Sequence, residues 1–171
     1  MMRIGLCSDT HGWLDPRLLT LLGSCDEIWH AGDFGPGVAD QLEAYKPHVG
    51  VWGNIDEAPL RRRYPRDAIF EREGMRVFMT HIGGYPERYD KRVREALAAE
   101  STAGRKPGLF ICGHSHILKV MRDQRHGWLA LNPGACGKHG FHKVRTALRF
   151  VLDAGTIRDL EVIELGARGS I

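Results

Sequence analysis

Polar residues that can bind metals or move protons occur in five short clusters along the chain. The chain has nine histidines, and imidazole, carboxylate and carboxamide groups are the ligands that manganese, iron and zinc accept in proteins. Each cluster directly follows an apolar run whose composition predicts a β-strand. In chain order the clusters are Asp9-Thr10-His11, Gly32-Asp33, Gly53-Asn54-Ile55-Asp56, Thr80-His81 and Gly113-His114-Ser115-His116.

Three parallel strands joined by helices are predicted to position the first three clusters. The apolar runs Met2–Cys7, Glu27–His30 and Val49–Trp52 alternate with a short helix at 16–22 and an amphipathic helix at 36–46. This alternation is typical of a parallel sheet built from right-handed crossovers. Because ligands of such sheets bind beyond the carboxyl ends of the strands, we expect the clusters to lie close together.

The rest of the chain predicts a second sheet and one more helix. Antiparallel pairing is indicated by the two runs about the Gly74 turn and by the two runs at the end of the chain. We expect one α/β domain over residues 1–171, folded as a four-layer α/β/β/α sandwich in which helices flank two mixed β-sheets. The predicted elements are strands at 68–73, 75–80, 109–112, 117–123, 128–131, 145–152 and 156–164, and a helix at 87–100.

Composition and charge exclude several classes of protein. With 171 residues and 43% hydrophobic content the chain suits one globular domain. Its net charge of +3 does not favour a nucleic-acid or membrane partner. It has no apolar run near the ~20 residues of a membrane helix and no signal-peptide pattern at its start. The four cysteines form no Cys-x-x-Cys pair, so we expect reduced thiols and a cytoplasmic protein.

The number and type of candidate ligands predict more than one metal ion. There are too many donors for one tetrahedral zinc site, and mixed imidazole and oxygen donors suit transition metals. Two divalent ions ~3.5–4 Å apart can clamp the attacking and leaving oxygens of a phosphoryl transfer and lower the pKa of a bridging hydroxide toward ~7. We expect two divalent ions, manganese in preference to iron, zinc, nickel or magnesium.

The order of these motifs, followed by Asn132-Pro133-Gly134, resembles the calcineurin-like metallophosphoesterase superfamily. Within it the chain is similar to the small YfcE-type phosphodiesterases and the related scaffold VPS29, over about residues 2–152. The resemblance implies a bridging Asp33 and two metal sites. The first site would contain Asp9, His11, Asp33 and His116, and the second Asp33, Asn54, His81 and His114.

The resemblance also implies catalytic residues and one departure from the family pattern. Asn54 and His114 would stabilise the charged transition state near the second ion. Many relatives carry a histidine, thought to protonate the leaving group, where this chain has Ile55, so substrates with good leaving groups should react best. Asp56 is interpreted as a catalytic residue that orients Asn54 or a nearby histidine, with a turn-stabilising role as the alternative.

Two basic segments are candidates for substrate binding. The Gly-rich loop after Asn132-Pro133-Gly134 contains Lys138, His139 and His142, which we expect to contact substrate phosphate; the alternative is a solvated basic loop. The run 61–66 carries four arginines and is interpreted as a solvated loop, with a phosphorylated or nucleic-acid ligand as the alternative.

The function expected from these residues is hydrolysis of a phosphodiester by a metal-bridging hydroxide. The alternatives are a phosphomonoesterase, a nucleotide or protein phosphatase on the same metal core, and a VPS29-like metal-binding scaffold without catalysis. A nuclease is less favoured because the chain is small and has no added nucleic-acid domain. The expected partner is a small phosphodiester or phosphomonoester, and a homo-oligomer is left open.

Overall fold

A computed structural model describes residues 1–169 as two β-sheets flanked by helices. Two of its helices begin at an aspartate N-cap. The Asp15 side chain accepts a hydrogen bond from the amide of Arg17 at the first helix, and the Asp90 side chain accepts one from the amide of Arg92 at the last. The elements are β1 (Met2–Cys7), α1 (Pro16–Leu21), β2 (Glu27–His30), α2 (Val38–Tyr45), β3 (His48–Gly50), α3 (Ala58–Arg63), β4 (Asp67–Arg72), β5 (Met75–Thr80), β6 (Gly84–Tyr85), β7 (Arg88–Tyr89), α4 (Lys91–Thr102), β8 (Leu109–Ile111), β9 (Lys119–Arg122), β10 (Leu129–Asn132), β11 (Val144–Asp153) and β12 (Thr156–Ala167).

The first sheet has the strand order β12-β11-β1-β2-β3. Strands β1, β2 and β3 are parallel, with Ile4 opposite Glu27 and Ile28 opposite His48. The long hairpin β11–β12 completes the sheet and runs antiparallel to β1. The parallel strands therefore end at one edge, as the sequence predicted.

The second sheet has the order β4-β5-β8-β10-β9. Its three central strands β5, β8 and β10 are parallel, and β4 and β9 pair with them antiparallel at the two sides. The hairpin about Gly74 is confirmed, since Arg72 pairs with Met75. Both sheets are thus mixed.

Three apolar clusters hold the layers together. Residues such as Leu6, Trp29, Met79 and Phe150 fill the space between the two sheets. Further clusters lie beneath α1 and α2 on the outside of the first sheet and beneath α4 on the outside of the second. The predicted order of layers, α/β/β/α, is confirmed, and burial of these faces supplies most of the driving force for folding.

Two short segments differ from the sequence prediction. The arginine run was expected in a loop, but Arg61 and Arg63 lie in α3, which ion pairs from Arg63 to Asp40 and Glu43 hold against α2. Helix α4 was expected from position 87; instead the two-residue strands β6 and β7 form a tight turn there, and the helix begins only after its Asp90 cap. Both differences arise from contacts that helical periodicity does not report.

The four cysteines are free thiols and all are buried, in agreement with the sequence interpretation. No helix within residues 1–169 is long and apolar enough to cross a membrane.

Candidate metal centre

The candidate ligands sit in tight loops at the carboxyl ends of the parallel strands. Asp9 and His11 follow β1, Asp33 follows β2, and His114 and His116 follow β8. All five have a positive φ, between 48° and 67°. Side chains other than glycine rarely adopt this left-handed conformation, although Asp and His tolerate it better than most. Such strain concentrates at functional sites, where the surrounding fold enforces it.

Asp9 lies at the buried floor of the centre. Its carboxylate is inaccessible to solvent, and Oδ2 accepts hydrogen bonds from the Ser8 hydroxyl (2.7 Å) and the His114 amide (3.1 Å). Its second oxygen, Oδ1, is buried and has no hydrogen-bond partner among the described residues. An unsatisfied buried carboxylate oxygen is costly, and a bound cation would satisfy it.

His81 presents an unprotonated nitrogen to three oxygens. Its Nδ1 lies 2.7 Å from the carbonyl of Ala31, which can only accept, so Nδ1 carries the hydrogen. In the neutral ring Nε2 is then a lone pair, and it faces Asn54 Oδ1 at 3.0 Å, Asp33 Oδ2 at 3.3 Å and Asp9 Oδ1 at 4.0 Å. A cation between these atoms would convert repulsion between lone pairs into coordination.

The closeness of His81 to these carboxylates shifts the pKa values of His81 and Asp33 in opposite directions when no ion is present. Burial lowers the pKa of His81, but the hydrogen bond to Asp33 and the charges of Asp9 and Asp33 outweigh it, so the pKa is raised. Burial raises the pKa of Asp33, but His81 and the Ile55 amide, which donates to Asp33 Oδ1 at 3.0 Å, bring it below its ordinary value. A proton on His81 thus takes the place that a metal ion would fill.

A second group of donors lies around His11 and His116. Their Nε2 atoms are 3.3 Å apart, and His116 Nε2 is 3.2 Å from Asp9 Oδ1. His11 Nε2 is 3.7 Å from Asp33 Oδ2, the same oxygen that faces His81. Asp33 Oδ2 therefore lies next to both groups.

Two sets of three residues meet the spacing that a metal ion requires. Asp9, His11 and His116 form one set, and Asp9, Asp33 and His81 the other, with all candidate ligand atoms of a set within 4.8 Å of one another. Asp9 is common to both, whereas the resemblance placed it in the first site alone. The buried Asp9 Oδ1 without a partner and the convergence of imidazole nitrogens on carboxylate oxygens show that these residues fit divalent ions.

Asn54 and His114 form the exposed rim of the centre. Both are open to solvent, and Asn54 Oδ1 lies 2.9 Å from His114 Nδ1. Asp9, Asp33 and His81 are buried beneath them. All seven predicted ligands are therefore brought together, with the carboxylates at the floor and an amide and an imidazole at the mouth.

Asp56 does not face the ligand cluster. Its buried carboxylate accepts backbone hydrogen bonds from Gly35 (2.9 Å), Phe34 (3.2 Å) and Gly53 (2.8 Å). The expectation that it orients Asn54 or a histidine through its side chain is corrected: it ties the loop after β2 to the loop after β3. This geometry fits the turn-stabilising alternative, and Asp56 is a positioning residue.

His142 contacts the candidate metal ligand His116. Its side chain is buried, Nε2 donates to the Gly137 carbonyl (3.0 Å), and Nδ1 lies 3.1 Å from His116 Nδ1. Because Nε2 carries the hydrogen, His142 Nδ1 accepts from His116 Nδ1–H, and His116 Nε2 remains a lone pair directed at Asp9. Within the described residues His142 therefore orients His116, and its expected contact with substrate phosphate stays a prediction.

The other two residues of that loop are placed differently. Lys138 Nζ lies 3.9 Å from the centre of the Trp13 ring, and His139 is exposed. Neither contacts the ligand cluster within the described part of the chain, and their binding to substrate stays a prediction.

Glycine is required where the loops approach the ligands. A Cβ on Gly53 would lie 2.0 Å from Asp33 Oδ1, and a Cβ on Gly140 would lie 2.1 Å from His116 Nδ1. Both distances are shorter than any van der Waals contact. The backbone itself therefore forms part of the wall behind each ligand.

Several supporting contacts were not predicted from the sequence. Ser8 holds Asp9, and Asn132 donates from Nδ2 to the Gly113 carbonyl (2.8 Å) and the Ser115 hydroxyl (3.1 Å). His30 is buried behind the centre, bonded to Thr10 at 2.9 Å. The adjacency of Ser8 to a ligand was available as a sequence signal; the other contacts join residues 17 to 20 positions apart.

Two histidines outside the five motifs also have side-chain partners. His48 Nε2 lies 2.5 Å from the Tyr64 hydroxyl, and His126 bonds to Asp123 at 3.1 Å while its ring stacks on Trp128. Both lie outside the ligand cluster.

Two packed mixed sheets with a cluster of candidate metal ligands at the carboxyl ends of their strands are the arrangement that a metal-dependent hydrolase requires. Residues 2–155 match the family model described as the calcineurin-like phosphoesterase superfamily domain. The chain belongs to this superfamily.

Three relatives illustrate the range of proteins with this fold. A probable metallophosphoesterase of Methanothermobacter thermautotrophicus is 32% identical over 146 residues, which cover 78% of this chain and 77% of the relative. Wild-type Vps29 of Entamoeba histolytica complexed with Zn²⁺ has a TM-score of 0.68 at 15% identity, over 95% of this chain and 99% of that one. An archaeal protein described as a novel phosphodiesterase has a TM-score of 0.66 at 19% identity, over 96% of this chain and all of its own.

Proposed function

We propose that the protein is a phosphodiesterase that uses two divalent metal ions. The observation that carries the proposal is the convergence of His81 Nε2 and His116 Nε2, which carry lone pairs when the rings are neutral, on the carboxylates of Asp9 and Asp33. The two ligand sets share Asp9, and Asp33 Oδ2 lies beside both, which supports adjacent ions rather than one. When bound, such ions polarise phosphoryl oxygens and lower the pKa of a coordinated water.

The residues at the mouth would act on the substrate. Asn54 and His114 are the exposed members of the cluster, so a phosphoryl group entering the centre meets them first. With Asn54 Oδ1 turned toward the other ligands, its NH₂ group is free to donate to an oxygen whose negative charge grows in the transition state. The buried carboxylates cannot reach that oxygen except through the ions.

Diesters with good leaving groups are the preferred substrates in this proposal. Ile55 follows Asn54 and is 42% exposed, and its side chain cannot donate a proton. An aryl oxide leaves without protonation, whereas an alkoxide does not. Manganese is the metal we favour; iron, zinc, nickel and magnesium are the alternatives that metal analysis of the purified protein would separate.

A metal-binding scaffold without catalysis is the second candidate, because the fold is also that of Vps29. The exposed rim favours an enzyme over a scaffold, because Asn54 and His114 are both present and both accessible to a substrate. The four buried thiols support a reducing compartment, the cytoplasm. The proposed partner is a small phosphoester.

The test is hydrolysis of bis-p-nitrophenyl phosphate by metal-free protein supplied with each metal in turn. We expect turnover with Mn²⁺, loss of both turnover and metal binding in Asp33→Ala, and loss of turnover with weakened binding of one of the two ions in His114→Ala. Preferential hydrolysis of p-nitrophenyl phosphate would favour a phosphomonoesterase. Metal binding at full stoichiometry without hydrolysis of either ester would favour the scaffold.

A further inference from the structure

Two arginines of the run 61–66 bring their positive charges onto one tryptophan beside the metal centre. The guanidinium carbon of Arg61 lies 4.5 Å from the centre of the Trp52 ring, and that of Arg66 lies 5.8 Å from the same centre. Trp52 precedes the ligand Asn54 by two residues. A ring face attracts one cation, but two like charges on the same ring also repel each other.

Arg63 and Arg92 are neutralised by nearby carboxylates, whereas Arg61 and Arg66 are not. Arg63 pairs with Asp40 and Glu43, and Arg92 pairs with Asp67 at 2.5 Å. Within residues 1–169, neither Arg61 nor Arg66 forms an ion pair with a carboxylate.

Arg61 is held in place without losing its charge. Its Nε donates to the Asp56 carbonyl (2.6 Å) and one terminal nitrogen to the Asn54 carbonyl (3.2 Å). These bonds fix the guanidinium next to the ligand loop and leave its positive charge uncompensated, because carbonyl groups carry no net charge.

Arg66 opens onto the metal centre. Arg66 and Arg92 line one small cleft together with Trp52, Asn54 and His81. Two arginines, of which only Arg66 has no carboxylate partner in the described part of the chain, therefore border the same space as two candidate metal ligands. Guanidinium groups bind phosphate oxygens through paired N–H donors, and they do so best where no carboxylate competes.

We propose that Arg61 and Arg66 form an anion subsite that binds a second phosphate group of the substrate, next to the phosphoester held at the metal centre. This inference rests on the proposed function and narrows its substrates to phosphoesters with a second phosphoryl group close to the scissile one. A monoanionic diester such as bis-p-nitrophenyl phosphate would leave the subsite empty and react only as a surrogate.

The test compares two non-hydrolysable probes, methylphosphonate and methylenediphosphonate, in equilibrium binding to the Mn²⁺-loaded protein. The measured quantity is the ratio of their dissociation constants, because any chelation of free metal affects wild type and variants equally. One charge-assisted contact corresponds to about a tenfold change, so Arg66→Ala should lower the preference for the diphosphonate about tenfold. The double variant Arg61→Ala/Arg66→Ala should lower it further.

Arg62→Ala is the matched control, since Arg62 is exposed, lies on α3 next to Arg61 and does not line the cleft. Arg66→Ala is the decisive variant because the Arg66 side chain makes no hydrogen bond in the described part of the chain, and its removal should not disturb folding. A wild type that does not prefer the diphosphonate, or an Arg66→Ala protein that keeps the full preference, would overturn the subsite.

Hydrolysis of bis-p-nitrophenyl phosphate by the same samples separates this inference from the proposed function. If no sample hydrolyses the ester with any metal while Arg66→Ala still lowers the preference, the phosphodiesterase proposal fails and the subsite stands. If hydrolysis is normal and the preference does not change, only the subsite is lost.

Discussion

Replacing His142 with alanine should weaken metal binding on the His116 side of the centre. In the wild type the Gly137 carbonyl fixes the His142 tautomer, and His142 fixes that of His116, through bonds of 3.0 Å and 3.1 Å. Without His142 the Nδ1–H of His116 loses its acceptor. The tautomer with hydrogen on Nε2, which cannot bind the ion through that nitrogen, then becomes competitive. Removal of such a partner lowers metal affinity about 10- to 100-fold, or about 1.4–2.7 kcal/mol.

Calorimetric titration of metal-free protein with Mn²⁺ would measure this loss. We expect one of two binding events to weaken and the other, on the His81 side, to stay as in the wild type. His142→Asn should recover part of the affinity, because its Oδ1 can accept from His116. His139→Ala is the matched control, since His139 is an exposed histidine on the same loop. Unchanged affinity in a folded His142→Ala protein would refute the orienting role.

Three further predictions concern residues at and behind the centre. Asp56→Ala orphans three buried backbone amides and should lower the free energy of unfolding by about 3 kcal/mol or more, measured by urea denaturation; a loss below 1 kcal/mol would contradict the account. Gly53→Ala places a Cβ 2.0 Å from Asp33 Oδ1, so metal affinity should fall, and an unaltered titration would show that the loop can move aside. Burial lowers the pKa of His30 to about 3; since the unfolded side chain titrates near 6.5, the unfolded state binds the extra proton below that pH, and His30 should cost about 2 kcal/mol of stability between pH 7 and pH 5. The pH dependence of metal-free wild type should therefore be steeper than that of His30→Gln, and equal slopes would show that His30 is not held neutral.

The positions of the candidate ligands followed from the sequence because each stands directly after a predicted strand. The parallel strands of one sheet end at one edge, so Asp9, Asp33 and Asn54 were expected to be neighbours. His114 follows β8 of the second sheet, and only the packing of the two sheets brings it to the same place. Fold class and layer order followed from the same alternation of strands and helices. The assignment of donors to individual ions did not, and the shared position of Asp9 emerged only from interatomic distances.

The supporting contacts could not be predicted because they join loops distant in sequence. His142 and His116 are 26 residues apart, and Asp56 reaches Gly35 across 21. The composition of the Gly-rich basic loop suggests phosphate binding, yet the His142 side chain is buried against the candidate ligand His116. Similarly, the run 61–66 appears uniform in sequence, while ion pairing in three dimensions separates Arg63 from Arg61 and Arg66.

The left-handed backbone at five candidate ligand positions lowers the free energy of unfolding of the metal-free protein. Each such residue costs on the order of 1 kcal/mol relative to an unstrained one, and the sum is comparable to the net stability of a typical domain, about 5–15 kcal/mol. An ion that binds only the folded chain adds stability in proportion to its affinity and concentration. Metal supply would then govern how long the protein survives heat or proteolysis as well as whether it reacts, and a descendant that lost its ions would gain stability by placing glycine at these same five positions.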